Sequence, residues 1–411
     1  MTNTNSYSTC VTSMGAVGDG QSDDARAIQR ALDEGGLVTI PFGIFRIGRP
    51  LRLKSGARLR VHPRAHLIFA DGAGTDSEAF LVTNADKKRG NADIRIEGGI
   101  WDGNNPGNPR GPDSPGSYTG VLIDFTNVEG LDLSGMVLRN AESYNLRLCA
   151  VRRFRVEDIR FEATHIRPNQ DGVHLGGHCE DGLIRGIRAN GLATPNDDMV
   201  AINADDAPER AQNLGKPCGP IRRLRVEDIE AADCHSFVRM ASVWSAIEDV
   251  AVDGVRGGCR VCALNADATR ECRVPLVGPR DADTPDGVGM LRRVVLRSLD
   301  VHRSWAGSHK PLIDIQNRME DFRIERLRRA YDRDADPLKS TLRIVQAAVE
   351  RLALEGLTEA QAGAVRAAEG VEMAVMPMTD PAVLGLYAAA GRVPAEAGLY
   401  VDGDIRFMEV G

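Results

Sequence analysis

The sequence predicts an all-β chain folded as a right-handed, single-stranded parallel β-helix, a solenoid with a short N-terminal capping helix. Two observations carry that expectation. The first is a recurring pattern, apolar-x-apolar-x-x-apolar. It appears at Phe154/Val156/Ile159, Leu224/Val226/Ile229, Val250/Val252/Val255, Val294/Leu296/Leu299, Phe322/Ile324/Leu327 and Leu352/Leu354/Leu357, with a degenerate copy at Ile184 and Ile187. The last members step by 28, 42, 26, 44, 28 and 30 residues, and the two long steps hold Gly- and Pro-bearing insertions near 204–220 and 275–289. Short alternating runs separated by Gly, Asn and Asp read as strands joined by turns. A period of roughly 20–30 residues fits one coil of a β-helix. The second observation is an absence. Helical periodicity is nearly missing from 36 to 380, and no series of Asn-Gly or Asp-Gly hairpin turns points to a sandwich or barrel.

The elements follow in order. Residues 1–36 form the N-terminal cap. Within it, Ser22 to Leu32 is a short amphipathic helix, with Ser22 as its cap, Asp23 and Asp24 at the positive end of its dipole, and Gly35-Gly36 as its stop. Ala27, Ile28, Ala31 and Leu32 cover the first coil, since end repeats of a solenoid depart from the pattern. Coils run from 37 to 380. Residues 381–411, with Leu384, Leu386, Tyr387 and Leu399, close the far end. Length alone would favour two or three domains; the continuous repeat favours a single domain over 1–411.

Composition narrows the function classes. The net charge is −7 although Arg is abundant, so no global basic field points to nucleic acid. Arg152-Arg153, Arg222-Arg223 and Arg292-Arg293 recur at turn positions and read as solvated turn faces rather than an anion track. No apolar run approaches the ~20 residues of a membrane span. Met1 to Tyr7 lacks the apolar core of a secretory signal, which reads as cytoplasmic, or as secreted or periplasmic if a leader has been removed. The oligomeric state stays open, with a monomer slightly favoured. Of eight cysteines, Cys259 and Cys262 have metal-motif spacing, but no second paired motif accompanies them. Strand alternation would send them to opposite faces. The cysteines therefore read as small buried side chains, and no metal or cofactor is expected.

Two segments carry the chemistry: Asn169-Gln170-Asp171-Gly172-Val173-His174-Leu175 and Asn196-Asp197-Asp198-Met199-Val200-Ala201-Ile202-Asn203. Asp171 and Asp198 are 27 residues apart, close to one coil, so their carboxylates are expected to stack on one surface. If Val173, Val200 and Val238 stack, Arg239 occupies the strand position of His174 and Ala201 and faces outward. It can then bind a sugar hydroxyl or an anionic substituent, or pair with the acids. His235 is placed to tune the acid or bind sugar, and His174 to line the same cleft. Asn203, Asp205 and Asp206 follow the second strand and are candidates to rim the cleft, with Asn203 and Asn169 as substrate-binding candidates; a solvated loop is the simpler reading for Asn203, Asp205 and Asp206. Trp244, Trp305 and Tyr118 are sugar-stacking residue types whose expected role is packing. The Pro/Gly-rich insertion 104–118 is too broken for a strand and is placed to overhang one end of a groove.

The N-terminus, Gly15-Ala16-Val17-Gly18-Asp19-Gly20-Gln21-Ser22-Asp23-Asp24 followed by Val38-Thr39-Ile40-Pro41-Phe42-Gly43, resembles the opening of the pectate-lyase-like β-helix superfamily. Gly98-Gly99-Ile100-Trp101-Asp102-Gly103-Asn104 and the two acidic segments together resemble glycoside hydrolase family 28, the polygalacturonases. The resemblance covers about 1–260 and implies an inverting glycosidase acting on a carbohydrate. In that family an Asn-Thr-Asp motif precedes an Asp pair; Asn169 and Asp171 match the former, Asp197-Asp198 the latter. The resemblance then implies Asp198 as general acid, with Asp171 and Asp197 holding the water. Clustered carboxylates split their proton affinities, which leaves one protonated near neutrality.

Two family motifs are altered. No Gly-His-Gly is present, and turn counting puts His235 in its place. The Arg-Ile-Lys motif is also missing. Local spelling puts Arg239 at its start, with Met240-Ala241 leaving no Lys; turn counting puts Arg260 there. The loss of that Lys favours a glycan other than polygalacturonic acid, or exo action on an oligosaccharide. Two rival classes remain: a polysaccharide lyase, with the acidic trio on Ca²⁺ and Arg239 as base, and a non-catalytic glycan-binding or tailspike-like β-helix.

Overall fold

The computed structural model describes residues 7–111, 114–205, 210–267, 290–308, 310–337, 339, 341–349, 352–354, 373–375, 399–405 and 408–410. The insertion at 275–289, and Leu357, Leu384, Leu386 and Tyr387, lie outside them. The chain forms two compact units. One holds residues 1–190, 194–197 and 207–217; the other holds 191–193, 198–206 and 218–411. Each is a parallel β-helix.

In the second unit the apolar pattern is the register itself. Leu224, Val250, Val294, Phe322 and Leu352 are successive Cα partners across parallel strands, and so are Val226, Val252, Leu296, Ile324 and Leu354. Ile229, Val255, Leu299 and Leu327 form the third column. Val226, Val252, Leu296 and Ile324 are buried, as are their neighbours in the first column through Phe322. At about 1.5–3 kcal/mol for each fully buried side chain, these columns carry much of the folding free energy. The first unit repeats the arrangement with Ile94, Leu131 and Phe154, and with Ile96, Leu133, Val156 and Ile184.

The pattern has an extra residue before its third apolar position because the backbone bends there. Asp158, Gly186, Asp228, Gly254, Ser298 and Arg326 all occupy that place, with φ between 54° and 76°. A second bend precedes each first apolar position, at Asp93, Gly130, Arg153 and Asp181 in one unit and at Arg223, Asp249, Arg293 and Asp321 in the other. The left-handed region is uncommon for residues with a Cβ, and Asp and Asn tolerate it best after Gly. Each coil therefore needs two such bends, and an inward side chain follows each of them. The degenerate copy has a steric cause. Gly182 is the partner of Phe154, and a Cβ on it would stand 2.1 Å from the Phe154 ring.

The arginine pairs sit at these bends, but they are not merely solvated. Arg222, Glu248, Arg292 and Glu320 are successive partners that alternate in sign. Arg222 lies 2.5 Å from Glu248, and Arg292 lies 2.6 Å from Glu320. Arg293 pairs with Asp249 at 2.6 Å. Stacking brings each residue within 5 Å or so of its equivalents, so a like-charged column would repel and an alternating one does not.

The N-terminal helix spans Ala25–Glu34, three residues later than expected. Ser22 is not its cap: it lies in the strand Asp19–Asp23, and its hydroxyl donates to Asp19 at 3.0 Å. The Ala25 N–H donates instead to Asp23 at 3.0 Å, while buried Asp24 accepts from the N–H groups of Val17 and Gly18. The apolar face is as expected, with Ala27, Ile28, Ala31 and Leu32 buried. At the other end, Leu399–Ile405 and Met408–Val410 pair in parallel with Leu342–Val349 and Leu352–Leu354. Cys259 and Cys262 are both fully buried, and a register irregularity lies between their partners Cys234 and Ser236. Burial raises both thiols, Cys259 to about 12.

Gly182→Val should destabilise the protein by about 1–3 kcal/mol through its clash with Phe154, read from the urea midpoint; an unchanged midpoint would show the ring free to move. A second expectation concerns Glu248. Burial pushes its carboxyl up, but the Arg222 hydrogen bond and the charges of Arg222, Arg292 and Arg293 outweigh this and hold it below the ordinary glutamate range. A lowered folded pKa gives stability above the unfolded value of about 4.3 that is lost as pH falls through the folded value. Glu248→Gln should therefore cost more at pH 7 than near pH 3 in parallel unfolding curves.

Candidate active site

In the first unit, the strand Val173–Leu175 pairs in parallel with Leu146–Glu157, placing Val173 beside Leu146 and His174 beside Arg147. Val173 points inward and His174 outward. The loop before this strand is pinned at Asp171, whose carbonyl accepts from the Asn145 N–H at 2.8 Å and from Asn145 Nδ2 at 2.9 Å. The Asp171 carboxylate lies 2.6 Å from His174 Nδ1. Both side chains are buried, and the His174 ring stacks on Tyr144 at 4.0 Å, 9° from parallel. The hydrogen bond and the stack together fix the direction of the carboxylate.

The same unit holds the loop ending at Asp197. Asn169 Nδ2 donates to Asp197 Oδ2 at 3.3 Å, and Asn196 Nδ2 donates to the Arg167 carbonyl at 3.1 Å. Asn169 itself has φ +61°, a conformation its side chain tolerates. The loops that carry the two acidic segments are thus tied side to side. The insertion after Asn104 reaches them: Asn105 Nδ2 donates to the His165 carbonyl at 3.0 Å, and Arg110 Nη2 to the Pro168 carbonyl at 3.2 Å.

In the second unit, Asp198 opens the strand Asp198–Asn203, which pairs with Ile221–Ala241. Asp198 is beside Ser236, Val200 beside Val238, Ala201 beside Arg239, and Asn203 beside Ala241. Asp198 is 4% exposed, and a carboxylate oxygen lies within 4.8 Å of a ring nitrogen of half-buried His235. Arg239 is buried, between Ala201 and Asn265 on successive strands. Arg260 sits elsewhere, in the irregular stretch after Cys259. It lies 3.7 Å from Asp233, with its guanidinium 5.2 Å from the centre of the Trp305 ring. Asn203 is buried, as Arg239 is.

Some readings need correction. Asp205 is not a solvated loop residue. It is 2% exposed and accepts from the N–H groups of Val243, Trp244 and Ser245 at 2.7, 2.8 and 2.5 Å. Trp244 and Trp305 do not pack inside; both lie in loops past strand ends and are about half exposed. Tyr118 does pack, tilted against Phe69. A groove of about 610 Å³ in the first unit is lined by Arg58, Arg95, Asp132 and Arg155 among others, and no predicted site residue lines it. Sequence reasoning missed Arg147, Asp124, Lys87 and Lys216. The signal for the first two was present: Asp124, Arg147 and His174 each stand between two apolar residues of a strand.

No protein-family model matches the chain. Over 231 residues, 53% of its length, it is 24% identical to a probable polygalacturonase of Arabidopsis thaliana, covering 47% of that protein. A stretch of 101 residues, 24% of the chain, is 32% identical to the pre-neck appendage protein of Bacillus phage phi29, covering 12% of it. The chain thus spans less than half the length of these relatives. Among solved structures it is similar to a family 28 exopolygalacturonase of Yersinia enterocolitica, with a TM-score of 0.54 and 15% identity over 85% of this chain and 72% of that one. It is also similar to PfbA, a surface adhesin of Streptococcus pneumoniae, with a TM-score of 0.53 and 12% identity over 85% and 87%. These likenesses establish the parallel β-helix fold.

His174→Ala should cost about 1–3 kcal/mol, because it removes the 2.6 Å partner of Asp171 and the ring stacked on Tyr144. His174→Gln, which keeps a donor, should recover part of that loss in the same unfolding assay.

Proposed function

We propose that this chain is a glycoside hydrolase that cleaves a poly- or oligosaccharide with inversion, in the manner of the family 28 polygalacturonases. The observation that carries the reading is the acid doublet: Asp197 is held by Asn169, and its neighbour Asp198 is buried at a strand head beside His235. Asp171 and Asp198 each stand two residues ahead of a buried valine, Val173 and Val200. The similarity to the Arabidopsis protein over 231 residues supports the same reading.

Inversion needs a protonated acid at the leaving oxygen and a carboxylate that holds water at the opposite face of the sugar. Asp198 takes the first role. His235, within 4.8 Å, is placed to orient it. Asp171 and Asp197 take the second role, with His174 and Asn169 as the groups that orient them. The water's oxygen bonds to the anomeric carbon as the glycosidic oxygen leaves with the proton from Asp198, and the water's proton passes to a carboxylate. Arg239, beside Ala201 of the strand that Asp198 opens, is the arginine assigned here to bind substrate. Arg260 is engaged with Asp233 and Trp305.

The likenesses to a phage appendage protein and to an adhesin favour a second reading, a glycan-binding module without catalysis. One experiment separates the two. A panel of neutral and acidic glycans is digested in ¹⁸O water, with wild type beside Asp198→Asn, and products are analysed by mass. The hydrolase reading expects label at one new reducing end and a loss of about 10²–10⁴-fold or more in the variant, with the unfolding midpoint little changed. Absence of cleavage by the wild type across the panel would leave the binding module.

A further inference from the structure

On the outward column of the first unit that carries His174, the preceding strands carry Arg147 and then Asp124. Asp124 is fully buried, and three cations converge on it. Arg147 Nε lies 2.6 Å from Oδ1, Lys87 Nζ 2.8 Å from Oδ2, and Lys216 Nζ 3.1 Å from Oδ2. Lys216 comes from the long excursion at 204–220 and also donates to Thr126 Oγ1 at 3.0 Å. Lys87 also reaches Glu78 at 2.7 Å and lies 4.1 Å above the centre of the Phe80 ring.

The cluster is not balanced. It sets three positive groups against Asp124 and the half-exposed Glu78. Glu248 also meets three arginines, but Arg292 and Arg293 have further acids in Glu320 and Asp249, whereas among the described residues Arg147 and Lys216 pair with no acid besides Asp124. Asp124 and Arg147 alone would satisfy each other. Arg147 is 1% exposed, and its Nη2 has no hydrogen-bond partner. A buried donor left unmade costs free energy. The Lys216 ammonium is lowered by burial and by the charge of Arg147, against the pull of Asp124. The Lys87 and Lys216 side chains keep 18% and 14% of their surface open to solvent.

We propose that Lys87, Arg147 and Lys216 form a subsite for an anionic substituent of a glycan, a carboxylate or a sulfate ester, one coil from the Asp171–His174 pair. A trigonal or tetrahedral oxyanion would give Arg147 Nη2 the acceptor it lacks and add a charge-assisted partner for the two ammonium groups. The inference rests on the glycosidase reading for the sugar, not for the charge.

The test is calorimetric titration of the full chain with galacturonate, galactose 6-sulfate and galactose. The proteins are wild type, Lys87→Met, Lys216→Met and Asp198→Asn, each checked for an intact unfolding transition. At least one anionic sugar is expected to bind wild type about 10-fold or more tightly than galactose, since one charge-assisted hydrogen bond contributes about that much. That preference should fall about 10-fold in either lysine variant and persist in Asp198→Asn. Whether galacturonate or the sulfate is preferred identifies the substituent. Equal binding of all three sugars, or a preference unchanged in the lysine variants, overturns the subsite. If one lysine variant fails to fold, the other decides. Absence of hydrolysis in wild type with the preference intact upholds the subsite and sinks the glycosidase reading alone.

Discussion

Every coil of this protein must bend at the same places as the coil before it. The interior columns stay in register only if the chain enters the left-handed region just before Leu224, Val250 and Val294 and again just before Ile229, Val255 and Leu299. A coil that bent one residue early would turn every inward side chain of the next strand outward. The apolar columns and the bends are therefore one constraint seen twice. The bend fixes which residue faces in, and burial of that residue holds the bend. Even Arg153, Arg223 and Arg293 accept φ near 50°, which a side chain with a Cβ rarely does. The columns that follow them are dense enough to offset the local cost.

The same stacking governs the charges. A repeat fold sets equivalent residues of successive coils within about 5 Å of each other, so outward ionisable groups cannot be chosen independently. At the bends the sequence answers with alternation, as Arg222, Glu248, Arg292 and Glu320 show. Such half-exposed pairs add little stability individually, but alternation removes the repulsion that a like-charged column would bring. Buried charges are held differently: three cations gather on Asp124, two of them from outside its column, and Asn169 donates to Asp197.

Much of this was legible in the sequence, because the period of the solenoid is written in its apolar residues. The triplets gave the register residue for residue wherever the structure describes them. The gap at Gly182 was visible as a degenerate copy but not its reason, which is the ring of Phe154 on the neighbouring coil. The helix start was misplaced because Ser22 has the chemistry of a cap, while an adjacent strand claimed it. Asp205 was misread for a similar reason. Nothing local distinguishes an acid in a solvated loop from one that gathers three N–H groups of a turn nearly forty residues away. The proposed site residues Asp171, Asp197, Asp198 and His235 rest on spacing and resemblance. The cations were missed because Lys87 and Lys216 lie off the repeat, and only folding brings them to Asp124.

A solenoid of this kind does not choose its own function, since similar coils serve an exopolygalacturonase and an adhesin. What differs is the treatment of the outward positions beside the inward columns. A binding surface needs complementary groups in reach of solvent. A hydrolase needs carboxylates whose direction is set before the substrate arrives, because reorientation during the reaction would add to the barrier. Asp171 meets that requirement: its carbonyl is bound by Asn145, its carboxylate by His174, and His174 by the face of Tyr144. Asp198 meets it by standing at the head of a strand whose next residues are all buried. Burying two acids in this way is costly for a surface that only binds. Asp24 and Asp205 offset the same expense by gathering backbone N–H groups; the Asp171 carboxylate is paired with the His174 ring instead, an acid–base partner of the kind that the proposed hydrolysis uses.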